Sequence, residues 1–240
     1  MRDYAEETTA SPKRMESVQA LRAVAALLVV GFHGLGMATR AGWPAPPPFG
    51  AFGVDIFFVV SGFVMVLTTQ ARTTPAKFLG DRIARIVPLY WVITTPKVGL
   101  KLAIPTLGAL KFNLAHVLPS YAFFPWLDQL GDPYPVVYVG WTLNYEMLFY
   151  VAFAALMLDA NRLALMFGAA VIAGMLSGGA GPLAWQTWTD PILLEFVMGL
   201  AIGLVYVGKP WLIPAGVACL AFFLVGHRVI THPLAKVVGL

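Results

Sequence analysis

Arg22 and His33 stand ten residues apart inside the first long apolar run of the chain, residues 18–39, which is otherwise almost free of polar side chains. A guanidinium and an imidazole in a membrane-length segment are costly unless they face a wet cavity or a partner, so by default they mark a functional site. Eleven steps of about 100° return to nearly the same azimuth, which puts both side chains on one helix face about 16 Å apart. His33 lies about five residues, about 7 Å, from the far end of that helix. An imidazole at such a depth can act as a general base or as a nucleophile. The plainer reading is a hydrogen-bonded polar residue between helices.

Other residues could join it. Asp55, in the next apolar segment, is expected at a depth similar to His33, where a carboxylate can fix the imidazole tautomer and support an imidazolium. Equally, it can be a helix N-terminal charge favoured by the dipole. Glu146 falls about ten residues into a later helix, near the midplane, where a carboxylate must be protonated, paired or wet. A functional role and a structural ion pair are both open for it. Glu195, four residues into its segment, reads as interfacial. Arg82 and Arg85, three residues apart in a basic stretch with Arg72 and Lys77 against only Asp81, can clamp phosphates bidentately or simply set topology by the positive-inside rule. Ser61 and Gly62 permit close helix packing, and the Ser61 hydroxyl can bond its own helix backbone. The chain shows no nucleophile elbow, phosphate-binding loop, metal-ligand spacing or nucleic-acid patch.

The elements that carry these residues are membrane helices. The chain is 59% hydrophobic and 12% charged, with mean hydropathy +0.76, whereas soluble domains run nearer about 25% charged. Cys219 is the only cysteine, which excludes an intrachain disulfide and argues against a thiolate metal site. Residues 1–17 are polar and of mixed charge, unlike a signal peptide, and are expected to be a cytoplasmic segment before a retained first helix. The pattern predicts an all-α, polytopic transmembrane helical bundle of about seven spans. Their expected ranges are 18–39, 51–69, from 83 onward, 135–158, 163–176, 191–207 and 211–225. The third helix is interrupted by Pro96, Lys97 and Lys101. Residues 107–134 read as an external loop partly in the interface, with Tyr121, Trp126 and Tyr134 as belt residues; a short extra helix there would invert everything downstream. Gly199 and Gly203 form a small-residue pair suited to close helix contact. A polar patch at His227, Arg228 and His232 follows the last helix. Residues 1–240 read as a single membrane domain. A new apolar run begins as the chain ends at Leu240, so further C-terminal helices are expected in the whole protein.

Taken in order, five groups of residues resemble the acyltransferase type 3 family, in its exopolysaccharide and O-antigen modifying branch. These are Arg22 to His33; Gly53-Val54-Asp55-Ile56-Phe57-Phe58 running into Ser61-Gly62-Phe63; Arg82 to Arg85 leading into Pro88-Leu89-Tyr90; Trp141 to Glu146 leading into Phe149-Tyr150; and Leu193-Leu194-Glu195-Phe196 with Gly199. The resemblance implies about ten spanning helices in a whole family member. It also implies transfer of an acyl group, usually acetyl, from acyl-CoA to a sugar hydroxyl of a lipid-linked or growing glycan. Acyl-CoA would be a co-substrate, with no permanently bound cofactor. Arg82, Arg85 and Arg22 would hold the CoA phosphates. His33 would be the general base or a transient acyl carrier, with Asp55 or Glu146 orienting or stabilising the imidazolium. Ser61, Gly62, Trp141 and Glu195 would be structural members of the motifs. The expected partners are the bilayer, the glycan acceptor and polysaccharide assembly machinery, with no nucleic acid, and the expected location is a bacterial inner membrane with the N-terminus cytoplasmic. The rival readings are a proton-coupled transporter or flippase using His33, Asp55 and Glu146 as its path, and a noncatalytic membrane subunit of an assembly complex.

Overall fold

The computed structural model describes residues 15–39, 41–44, 48–69, 73–106, 112–157, 180–190 and 192–207, together with residues 173, 176 and 177. Among these every regular element is helical. The chain divides into two compact units, the first reaching to Val60 and the second running from Ser61 to His227.

In the first unit, α1 spans Glu16–Thr39. A 3-10 turn at Pro48–Ala51 leads into α2, Phe52–Thr68. Two glycines let these elements touch. A Cβ at Gly50 would lie 2.3 Å from the Phe32 Cβ and 2.8 Å from the Leu28 carbonyl oxygen, and one at Gly53 would lie 2.5 Å from the Ala25 carbonyl oxygen. The contacts descend α1 as the chain ascends α2, so the pair is antiparallel and α2 begins opposite the middle of α1. The rest of α1 is open: Leu27, Val30 and Met37 are each about two-thirds exposed or more (71%, 68% and 71%), the pattern of a helix that buries its apolar face in lipid.

In the second unit, α3 spans Pro75–Ala103, starting eight residues before the expected start at residue 83. Thr74 accepts a hydrogen bond from the Lys77 amide at 3.2 Å and Pro75 occupies the first turn, both strong helix-start features. Neither Pro88 nor Pro96 ends the helix. In the turn before Pro96 the Thr94 and Thr95 hydroxyls donate to the carbonyls of Tyr90 and Trp91, each at 2.7 Å. The stretch expected as a loop contains α4, Leu114–Tyr121. At about 12 Å it is too short to cross a bilayer, so it adds no crossing. Tyr134, expected in an aromatic belt, is buried, whereas Trp126 is exposed.

A 3-10 turn at Tyr138–Gly140 precedes α5, Trp141–Leu156, which starts six residues later than expected. The helix α5 runs antiparallel to α3. At one end a Cβ on Gly140 would sit 2.7 Å from the Tyr90 ring; at the other, Phe78 meets Tyr150 and Phe153 at 6.2 and 5.0 Å between ring centres. Then come α6, Leu183–Trp188, and α7, Leu193–Tyr206. The last turns of α2 pack on α7 through Gly62 and Gly203, where an added Cβ would stand 2.2 Å from the Phe196 carbonyl oxygen and 2.8 Å from the Val66 Cβ, respectively. Phe149 of α5 stacks on Phe196 at 4.2 Å.

Among the described residues two stretches are long and apolar enough to cross a membrane, Glu16–Thr39 and Leu183–Tyr206, while α2 is a shorter apolar helix. Two of the expected spans meet this test of length and composition among the described residues. The helix α3 has the length but carries Lys77, Asp81, Arg82, Arg85, Lys97 and Lys101. The expected helices at 163–176 and 211–225 fall almost wholly outside the described residues, as do residues 1–14, Cys219, His227, Arg228 and His232.

Candidate active site

In the first unit α1 carries Arg22 and His33, both half-buried. The Phe32 ring presents an edge to His33 at 5.8 Å. Asp55 sits in the first turn of α2, where a carboxylate is favoured by the helix dipole. The Gly50 and Gly53 contacts fix its level along α1. Gly53 faces the turn between Ala25 and Val29, which puts Asp55 about 12 Å along the axis from His33 and only about 5 Å from the level of Arg22. The equal depth expected for His33 and Asp55 assumed that both helices start level at the connection, and α2 instead begins opposite the middle of α1. His33 and Asp55 are each engaged with neighbours.

In the second unit the antiparallel register of α3 and α5 brings three sequence-predicted residues to one level. Glu146 lies about ten residues, about 15 Å, from the Leu156 end of α5, and Arg85 lies the same distance from the Pro75 end of α3. The arginines thus belong to the body of a helix at the depth of Glu146, not to a surface segment well below it. Arg82 is held in detail. Its guanidinium carbon lies 5.2 Å from the centre of the Phe78 ring and 5.6 Å from that of Tyr150, a two-ring cation–π cradle. Its Nη2 donates to Thr68 Oγ1 at 2.8 Å. The Tyr150 hydroxyl donates to Glu146 Oε1. Arg85 is exposed. Lys77, nearer the start of α3, pairs instead with Asp81 at 3.0 Å in an exposed bridge.

The remaining motif residues hold helices together. Ser61 is half-buried, and Gly62 is the close approach of α2 to the Phe196–Leu200 backbone. Trp141 is buried at the start of α5 and meets the Tyr145 ring edge-on at 5.8 Å. The Tyr145 hydroxyl donates to Asp190 Oδ2 at 3.3 Å, and Asp190 Oδ1 accepts from the Ile192 amide at 2.9 Å just before α7. Glu195 is 2% exposed and engaged with a neighbour. The interfacial expectation concerned depth along the helix; laterally, the first turn of α7 is inserted into the protein, with Leu193 and Phe196 fully buried.

Three side chains escaped the sequence reading. Tyr150 stood four residues after Glu146, a spacing that puts both on one helix face, so that signal was present. Asp190 gave no comparable signal. His116 gave none either, yet it is 1% exposed in α4. Its backbone is tied down: Asn113 Oδ1 accepts from its amide at 2.9 Å, and Ser120 Oγ donates to its carbonyl at 2.9 Å while accepting from the Val136 amide at 3.0 Å. Lys97 Nζ donates to the Val136 carbonyl at 2.9 Å. Burial pushes the His116 imidazole below its ordinary pKa, with the Asp128 charge and the Tyr134 backbone opposing in part. Among the described residues no three His, Cys, Asp or Glu side chains converge to hold a metal ion.

An integral membrane chain with arginine, glutamate and histidine on its helices is the setting of a membrane-bound transferase, and comparison with known families places it. The type 3 acyltransferase domain matches residues 15–232, and the chain belongs to this family, which is membrane-integral. It is 44% identical over 161 residues to the exopolysaccharide production protein ExoZ of Rhizobium meliloti (strain 1021), covering 64% of this chain and 50% of that one. It is 27% identical over 166 residues to the putative membrane-bound transacylase BcsY of Komagataeibacter xylinus, covering 62% and 39%. It is 27% identical over 169 residues to the peptidoglycan O-acetyltransferase OatA of Listeria monocytogenes, covering 63% and 25%. The matched stretch thus spans half the length of these curated relatives or less. No solved structure gives a significant match.

Proposed function

We propose that the protein is a membrane-embedded O-acyltransferase that moves an acyl group, acetyl in the first instance, from acyl-CoA to a sugar hydroxyl of an exported or lipid-linked polysaccharide. The observation that carries this reading is the joining of Arg82 to Glu146 through Tyr150 in a chain of the acyltransferase family. Its kinship with an exopolysaccharide production protein and a peptidoglycan O-acetyltransferase supports a glycan as acceptor. A guanidinium set beside two aromatic rings has a planar N–H edge that can bind an anion, which suits the phosphates of CoA. Arg85 is assigned to the same task.

His33 is the general base. It takes the proton of the acceptor hydroxyl as the oxygen attacks the thioester carbonyl; the tetrahedral intermediate collapses, the C–S bond breaks, and the CoA thiolate leaves and is protonated. In a two-step variant the His33 imidazole attacks the thioester and the CoA thiolate leaves; the sugar hydroxyl then attacks the acyl-imidazole, its proton passes to a carboxylate, and His33 is released. A carboxylate is needed to offset the positive charge developing on the base, and Asp55 lies about 12 Å from it along the helix axis, near the level of Arg22. The basic start of α3 faces the cytoplasm by the positive-inside rule, which also puts the N-terminus there, in a bacterial inner membrane beside polysaccharide assembly machinery.

The test is covalent change. Purified full-length protein supplied with acyl-CoA and glycan acceptor acylates the glycan and releases free CoA. Movement of glycan across a vesicle membrane with no acyl transfer would instead establish the transporter reading.

A further inference from the structure

We infer that Tyr150 is a positioning residue that holds the Arg82 guanidinium through its ring and the Glu146 carboxylate through its hydroxyl. The inference rests on the acyl-transfer reading. Its ground is one side chain with two separate engagements. The ring centre of Tyr150 lies 5.6 Å from the Arg82 guanidinium carbon, beside the Phe78 ring that it meets edge-on. The hydroxyl of the same residue donates to Glu146, one turn back along α5. Arg82 is also bonded to Thr68.

Tyrosine is chemically suited to both engagements. Its ring attracts the cation to a face, and its O–H occupies one carboxylate oxygen while leaving the charge intact. Leucine or methionine would fill the space but satisfy neither partner. Phenylalanine would satisfy only the cation.

That asymmetry supplies the test. In full-length protein in membranes, Tyr150→Phe keeps the ring on Arg82 and loses the bond to Glu146. The expected result is a kcat lower by about 10- to 100-fold, the range of a lost hydrogen bond to a charged group, with KM for acyl-CoA within about twofold of wild type. Tyr150→Leu loses both engagements and raises KM as well. Adding Tyr150→Phe to Glu146→Gln costs little more than Glu146→Gln alone, because the two residues act as one unit. Wild-type kcat in Tyr150→Phe, or losses that multiply in the double variant, would overturn the positioning role while leaving the acyl-transfer reading intact. A wild-type protein that is inserted but transfers no acyl group would overturn the acyl-transfer reading, and this inference with it.

Discussion

Gly62 of α2 lies so close to Phe196 of α7 that a Cβ would stand 2.2 Å from the Phe196 carbonyl oxygen and 2.9 Å from the Leu200 amide nitrogen. Both neighbours are backbone, so neither can swing aside. Gly62→Ala is expected to destabilise the protein by about 1–3 kcal/mol through overpacking, read as a lower unfolding temperature in detergent. Gly80→Ala is the control: Gly80 is exposed in α3 with nothing within 4 Å of an added Cβ. That change should stabilise by about 0.5–1 kcal/mol. Equal responses at the two positions would contradict the packing assigned to Gly62.

Arg82→Lys retains the charge and loses the guanidinium whose carbon lies 5.2 and 5.6 Å from the Phe78 and Tyr150 ring centres. An ammonium is a point charge with no planar edge for a phosphate. Acyl-CoA should bind roughly 3- to 30-fold more weakly, the span of a lost cation–π contact, measured as KM or by direct binding. Arg85→Lys, in an exposed side chain, should change binding less. Indifference to Arg82→Lys would remove the cradle from donor recognition.

His116 predicts a pH dependence of stability. Burial lowers its pKa in the folded protein from the ordinary 6.5. Between 6.5 and the lowered folded value the unfolded chain holds more protons than the folded one, so stability rises with pH in that window. It is complete above 6.5 and declines as pH falls below it, by at most roughly 1.4 kcal/mol per pH unit for one group. In His116→Leu this component vanishes. The stability of wild type relative to the variant should therefore fall as pH is lowered from 7 to 5 in thermal melts. A difference independent of pH would show that His116 is not buried neutral.

What could be read from sequence was what short-range periodicity carries. Arg22 and His33 share a face because eleven helical steps bring them round, and no tertiary contact can alter that. The start of α3 was also legible, in the Thr74-Pro75 pair, though the basic residues that follow drew attention to topology instead. The failures were failures of register between helices. Asp55 was expected level with His33, but the level of α2 against α1 is set by where Gly50 and Gly53 admit the α1 backbone. Arg82 and Glu146 lie 64 positions apart in sequence, and their link through Tyr150 depends on the α3–α5 pairing that Phe78, Phe153, Tyr90 and Gly140 create. The burial of Glu195 was not legible, because depth along a helix says nothing about which neighbours flank it.

The most direct measurement is transfer of radiolabelled acetyl from acetyl-CoA to the glycan fraction by the full-length protein in membranes, with His33→Ala beside it. The account predicts labelled glycan with the wild type and none above background with the variant, at equal levels of inserted protein. Equal labelling by both would contradict the role of His33.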